Sequence, residues 1–200
     1  MTAPDPSPDA PTTAPADLTA LLRHFADLRD GRHGDAVSRQ AKERHFRSAV
    51  ELLDPHAHRA LDDLNAELLL GQGQVEVTGV RRVADGGLFA AWKLSWEEQR
   101  VSGVAPVTLY AHYGRTFHHP HLRGATVGEW PLNVFDDAQA ARELPTLRAI
   151  AAADLHNLVF ERDFRIVPAT ARSARRDARD AHQQHGQGGE CRRDGLAHRS

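Results

Sequence analysis

Residues 88–96, LFAAWKLSW, place Leu88, Ala90, Trp92, Leu94 and Trp96 at every second position. Side chains alternate across a strand, so this run predicts a β-strand with one face pressed on a core. Its neighbours follow the same period. Val75 and Val77 alternate with polar residues, and Asp85-Gly86-Gly87 is a hairpin turn signal between that segment and the central run. Val107, Leu109, Ala111 and Tyr113 form a third strand face, which leaves Thr108, Tyr110 and His112 on the other side. An antiparallel β-meander with one covered face is expected.

Before Gly73 the period is helical. Asp17 is a candidate N-cap, and Leu18, Leu21, Leu22, Phe25 and Leu28 share one face up to Gly31 and Gly34. A second helix is expected from Val37 to Leu53, with Phe46, Ala49, Val50 and Leu53 inward. Asp54-Pro55 predicts its end and the start of a third, since Asp caps well and Pro suits a first helical turn. Ala60, Leu61, Leu64 and Leu68 make the stripe of that third helix, and Gly71 stops it. Beyond the meander, Trp130–Phe135 is a candidate short strand, and Asp136 or Asp137 caps a helical region broken at Pro145. Leu147, Ile150, Ala151, Leu155, Leu158 and Val159 then predict a long apolar helix across the sheet, and 164–168 a last extended piece.

These readings define an α+β fold: three N-terminal helices, a short antiparallel β-meander, and a long C-terminal helix packed on the sheet. The expected domain is 17–168, divided into a helical part (17–71), the sheet with a histidine loop (72–135), and the C-terminal helix with an extended end (136–168). Residues 1–16 hold five of the eleven prolines and predict a disordered tail. Residues 169–200 form a second tail rich in Arg, His and Gln, with seven arginines against four acids.

The chemistry-bearing stretch is Thr108–Trp130, where His118, His119 and His121 crowd around Pro120. Pro120 disposes His119 to extended backbone, and residues two apart then point the same way. His119 and His121 should therefore share a side while His118 faces the other. Neutral imidazole is the commonest transition-metal ligand, so the pair is a bidentate start for a divalent transition metal. Candidates for a third ligand are His112, His156, Glu129 and Asp136. His156 stands out because it lies on the apolar helix between Asp154 and Asn157, where a polar notch against the sheet is costly. Arg115 and Arg123 flank the histidines and are candidates for holding an anion, with Trp130 bordering the ligand.

The H-x-H pair resembles the metal motif of cupins, but the glutamate spacing differs and no second motif follows. The order helix, meander, His-Pro loop, helices over about 74–162 is similar to the ubiquitin-conjugating and RWD architecture, with His119-Pro120-His121 at the His-Pro loop. That resemblance implies a scaffold without conjugating activity, because no cysteine follows the loop; the single Cys191 lies in the tail.

Composition narrows the classes further. One cysteine excludes a disulfide framework within the chain and suits a reducing compartment. A formal charge of −2 makes the chain no electrostatic magnet for nucleic acid or anionic membrane. The first residues lack the basic start and apolar core of a signal peptide, and no apolar run approaches membrane-spanning length, so a cytoplasmic protein is expected. Only Lys42 and Lys93 are lysines among 25 basic residues, an arginine bias that suggests a GC-rich bacterial genome. Three functional expectations follow, in order. The first is a non-catalytic binding or accessory protein contacting a protein or small-molecule partner through the loop 115–130. The second is a metal-dependent or histidine acid/base enzyme centred on His119 and His121. The third is a weak nucleic-acid binder through the basic patch 29–47 and the tail.

Overall fold

The computed structural model describes residues 16–173, with side chains from residue 18. Helices α1 (Ala16–Asp30) and α2 (Arg39–Leu68) lead into strands β1 (Gln74–Val77), β2 (Arg81–Arg82) and β3 (Leu88–Ser95). Helix α3 (Glu97–Ser102) precedes β4 (Val107–Tyr113), β5 (His121–Gly124) and β6 (Trp130–Pro131), and α4 (Asp137–Arg142) and α5 (Leu144–Glu161) follow. A 3-10 turn, Phe164–Ile166, and a helical stretch 168–173 end the described chain. The mixture of helices and antiparallel sheet agrees with the α+β expectation.

The strand order is β1-β3-β4-β5-β6, with β2 also pairing β3, and every pair is antiparallel. The alternating run forms β3, and its register sets Trp92 opposite Leu109 and Leu94 opposite Val107. Helices α2 and α5 cover that inward face, and Phe46, Leu53, Trp92, Leu94, Leu109, Leu122 and Leu147 close the core between them. The hairpin turn is formed as expected. Val83 N donates to Gly87 O, and Asp85 Oδ1 accepts from Gly87 N at 2.8 Å.

Several expected boundaries are corrected. The second and third helices are one, because α2 runs unbroken through Pro55. Pro55 removes only one backbone donor, whereas the buried stripe keeps phase across it from Phe46, Ala49, Val50 and Leu53 to Ala57, Ala60, Leu61 and Leu64. Asp54 accepts from Trp92 Nε1 at 2.7 Å instead of capping a new helix. Gly71 does stop α2: its N–H donates to Asn65 O, and Leu70 takes the left-handed conformation at φ +57°. Leu68 is exposed instead of buried.

Helix α1 starts at Ala16, before Asp17, and presents its apolar stripe outward. Leu22 is 66% and Phe25 53% exposed, and Leu18, Leu21 and Leu28 are exposed as well. The residue that α1 buries is His24. The connection 97–105 contains α3, and 164–168 turns instead of extending. Only Trp130–Pro131 of the expected 130–135 strand pairs, as the sheet edge, where a proline is tolerated. Asp136 caps α4, accepting from Gln139 N at 2.7 Å, and Pro145 sits in the first turn of α5. The expected tails lie outside the described residues except at 16 and 169–173. Among the described residues no helix is long and apolar enough to cross a membrane.

Candidate metal centre

The histidine loop is built by strand pairing on one side and by α2 on the other. Strand β5 folds back on β4 so that His121 stands directly opposite His112. Directly opposed residues project to the same face, and this is the face that α2 and α5 do not cover. The loop between the strands is gripped by its carbonyls. Arg39 Nη1 donates to Gly114 O at 2.9 Å and Arg115 O at 3.2 Å, and Nη2 to Tyr113 O at 3.3 Å. The same guanidinium lies 3.7 Å from the Tyr113 ring centroid. The buried Lys42 ammonium donates to His118 O at 3.0 Å and Gly31 O at 2.7 Å.

With the loop path set, the histidines fall as the proline spacing requires. His119 and His121 share a side, with their Nε2 atoms 3.0 Å apart, while His118 is exposed. Helix α1 adds a third imidazole. The His24 ring meets His119 edge-on at 3.9 Å between centroids and lies 6.1 Å from His121. Asn133, donating to Ala20 O, and Arg23, over the Phe135 ring at 4.6 Å, hold α1 in place. Gly34 completes the seat: its N–H donates to Asp27 Oδ2, and at φ +62° a Cβ there would lie 2.8 Å from the Phe135 ring.

Two overlapping groups result. The ligand atoms of His24, His119 and His121 all lie within 4.8 Å of one another, and so do those of His112, His121 and Glu129. In the second group His112 Nε2 and Glu129 Oε1 are 3.1 Å apart. His121 belongs to both.

Burial keeps these imidazoles neutral. It pushes His119 down to about 3, helped by the neighbouring His24 and His121, and His121 down to about 4 against the pull of Glu129. His24 and His112 are lowered too, chiefly by burial, with Asp27 and Glu129 respectively opposing. The Nδ1 atoms of His24, His112, His119 and His121 are buried and accept or donate no hydrogen bond among the described residues. Buried polar atoms are nearly always satisfied, so four such atoms in one cluster ask for a partner. Neutral, desolvated, unpartnered imidazoles are the form in which histidine binds a transition metal.

The remaining candidates separate. Glu129 and His112 join the cluster. His156 does not: it is exposed on α5, with Nδ1 3.3 Å from Asn157 Oδ1. The polar notch that faces the sheet is Asp154 instead, fully buried and accepting from Thr108 N, Thr126 N and Thr126 Oγ1. Asp136 is a helix cap. Arg123 stacks on Tyr110 at 4.7 Å, and with His112 and Glu129 these residues line a cavity of about 370 Å³ on the outer sheet face. Arg115 is exposed, and Trp130 lies on the edge strand outside that cavity's lining. Within the basic patch, Arg39 and Lys42 hold the loop and Arg29 pairs with Asp30.

His24 went unread in the sequence because a lone histidine beside an apolar stripe carries no ligand signal; its phase, off the leucine face, was the only clue. His33 is a second surprise. It is fully buried against Phe135, neither ring nitrogen has a partner among the described residues, and burial drives it down to about 3. It lies outside both ligand groups.

No protein-family model, curated protein or solved structure matches the chain.

Proposed function

We propose that this protein binds a divalent transition metal ion through His24, His119 and His121. One observation carries the reading: three neutral imidazoles, His24 and His119 buried and His121 half-buried, converge with their ligand nitrogens within 4.8 Å of one another. Metal–nitrogen distances of about 2.0–2.1 Å set the ligand nitrogens of a tetrahedral ion about 3.4 Å apart. The group therefore needs at most about 1.4 Å of closure, a shift that side-chain rotation can supply. The 3.0 Å between the His119 and His121 Nε2 atoms already suits adjacent coordination positions. This arrangement supports the metal-centred expectation over the non-catalytic one, because the pair has gained the convergent ligands it lacked on paper.

The test is metal content of the full chain, purified without an affinity tag and dialysed against zinc, nickel or manganese. The His119→Ala/His121→Ala variant and His24→Ala serve as comparisons. His182, His185 and His198 remain in every form and cancel in the difference. Loss of at least one ion per chain in both variants is expected; equal metal in all three forms refutes the reading.

A second reading, an accessory protein that docks a partner, draws on the outward apolar stripe of α1. Leu22→Ser/Phe25→Ser should abolish retention of that partner while leaving metal content unchanged. Retention by the double variant as strong as by the wild type refutes it.

A further inference from the structure

We infer that the cluster holds a second metal ion, bound by His112, Glu129 and His121, with the His121 ring shared between the two ions. The inference rests on the metal reading above and adds a site to it. His112 on β4 and Glu129, in the loop that leads into β6, stand with Nε2 and Oε1 3.1 Å apart. Their ligand atoms lie within 4.8 Å of one on His121. An imidazole and a carboxylate beside a second imidazole form a mixed nitrogen–oxygen set suited to zinc, manganese, nickel or copper.

His121 has two ring nitrogens with which to serve both ions. Its Nε2 faces His119, in the inner group. Its other ring nitrogen, Nδ1, is buried and unpartnered. The His112 and His121 rings come from opposed positions of β4 and β5 and lie 28° from parallel, 5.6 Å apart. Each His121 nitrogen then gives one lone pair to one ion. As the second ion binds, the ring's single N–H proton leaves to solvent, and no electron is transferred.

The two sites differ in access. His24 and His119 are 8% and 5% exposed, so the inner ion is enclosed by protein. His112 and Glu129 line the cavity of about 370 Å³ with Tyr110, Phe89 and Arg123. An ion there keeps a position open to the cavity, which is the mark of sites that exchange ligands. The Arg123 guanidinium, stacked on Tyr110, supplies a donor for a small anion such as a carboxylate or phosphate completing that position. The rival account is a plain His112–Glu129 hydrogen bond with no ion.

The test counts ions. Full-length protein is dialysed to saturation against zinc and, separately, copper(II). Metal per chain is measured for wild type, His121→Ala, His119→Ala, His112→Asn and Glu129→Gln, with circular dichroism and melting curves to establish folding. The wild type should exceed His121→Ala by two ions, while His119→Ala, His112→Asn and Glu129→Gln each lose one. In the copper form, two copper(II) ions across one imidazolate couple magnetically. The integrated electron paramagnetic resonance signal should then fall below the copper content and recover in Glu129→Gln. A difference of one ion from His121→Ala, with His112→Asn and Glu129→Gln unchanged, overturns the second site and leaves the inner one standing. No difference for His121→Ala overturns both. A full copper signal at two ions per chain overturns the shared ring.

Discussion

Acid should unfold the metal-free protein, and the sign and size follow from three histidines. His33 and His119 are pushed down to about 3 and His121 to about 4, mainly by burial, from an ordinary 6.5. The folded form therefore keeps them neutral while the unfolded chain takes up protons below 6.5. Stability from these groups is complete above that value and is lost as pH falls toward the folded values. At pH 5 each costs about 2 kcal/mol, because pH 5 lies about 1.5 units below the unfolded value and one unit is worth about 1.4 kcal/mol. That figure is insensitive to where below 5 the folded value lies. Three such groups remove about 6 kcal/mol between pH 8 and pH 5, comparable with the whole stability of an ordinary domain. The half-buried Glu143 carboxyl, raised by desolvation, works the other way. Urea denaturation with a chelator present, followed by fluorescence of the buried Trp92 and Trp96, measures the effect. The slope between pH 6 and 5 should approach three protons per molecule. His33→Phe should reduce it by one without touching either ligand group. Unfolding free energies equal within about 1 kcal/mol at pH 8 and pH 5 would refute the burial of these rings.

Zinc at pH 7 should raise the stability of the wild type by about 2.7 kcal/mol at a hundredfold excess over its dissociation constant, and not that of His119→Ala/His121→Ala. Asp154→Ala should cost about 2–4 kcal/mol, since it strands the buried Thr108 N–H and removes the acceptor of the part-buried Thr126 N–H, and a loss under about 1 kcal/mol would contradict their contacts. Lys42→Met should cost about 2–4 kcal/mol and weaken metal uptake, because Gly31 O and His118 O lose a buried charged donor. Leu22→Ser/Phe25→Ser should change the unfolding free energy little, about 0.5 kcal/mol or less in urea denaturation, because both side chains already face water.

What the sequence made legible was whatever depended on local period. The alternation through Leu88–Trp96 placed the central strand and its inward face. The proline between His119 and His121 placed two imidazoles on one side. The Asp136 cap and the loop's departure from β4 were equally local. What failed depended on comparing two local signals against a distant partner. Asp54-Pro55 has the chemistry of a helix start, but the packing of eight buried apolar residues against α5 and the sheet outweighs one missing donor. The unbroken phase of that stripe was the better guide. The stripe of α1 reads as a core face, yet the helix docks by the opposite side, and nothing local says which side meets the sheet edge. In α5 the polar residue that mattered was Asp154, in phase with Ile150 and Leu158, and His156 lay off that phase.

Arg39 and Lys42 hydrogen-bond the loop at 113–118 through main-chain oxygens, the one group every residue carries. The side chains of Arg115 and His118 are thus uncoupled from the path of the backbone that bears them. A protein designer can treat these two positions as free variables: they lie on the loop that carries the imidazole pair, yet exchanging them leaves these main-chain anchors in place. The scaffold so separates the shape of its site from the chemistry around its rim, and new specificity can be written at those positions without renegotiating the fold.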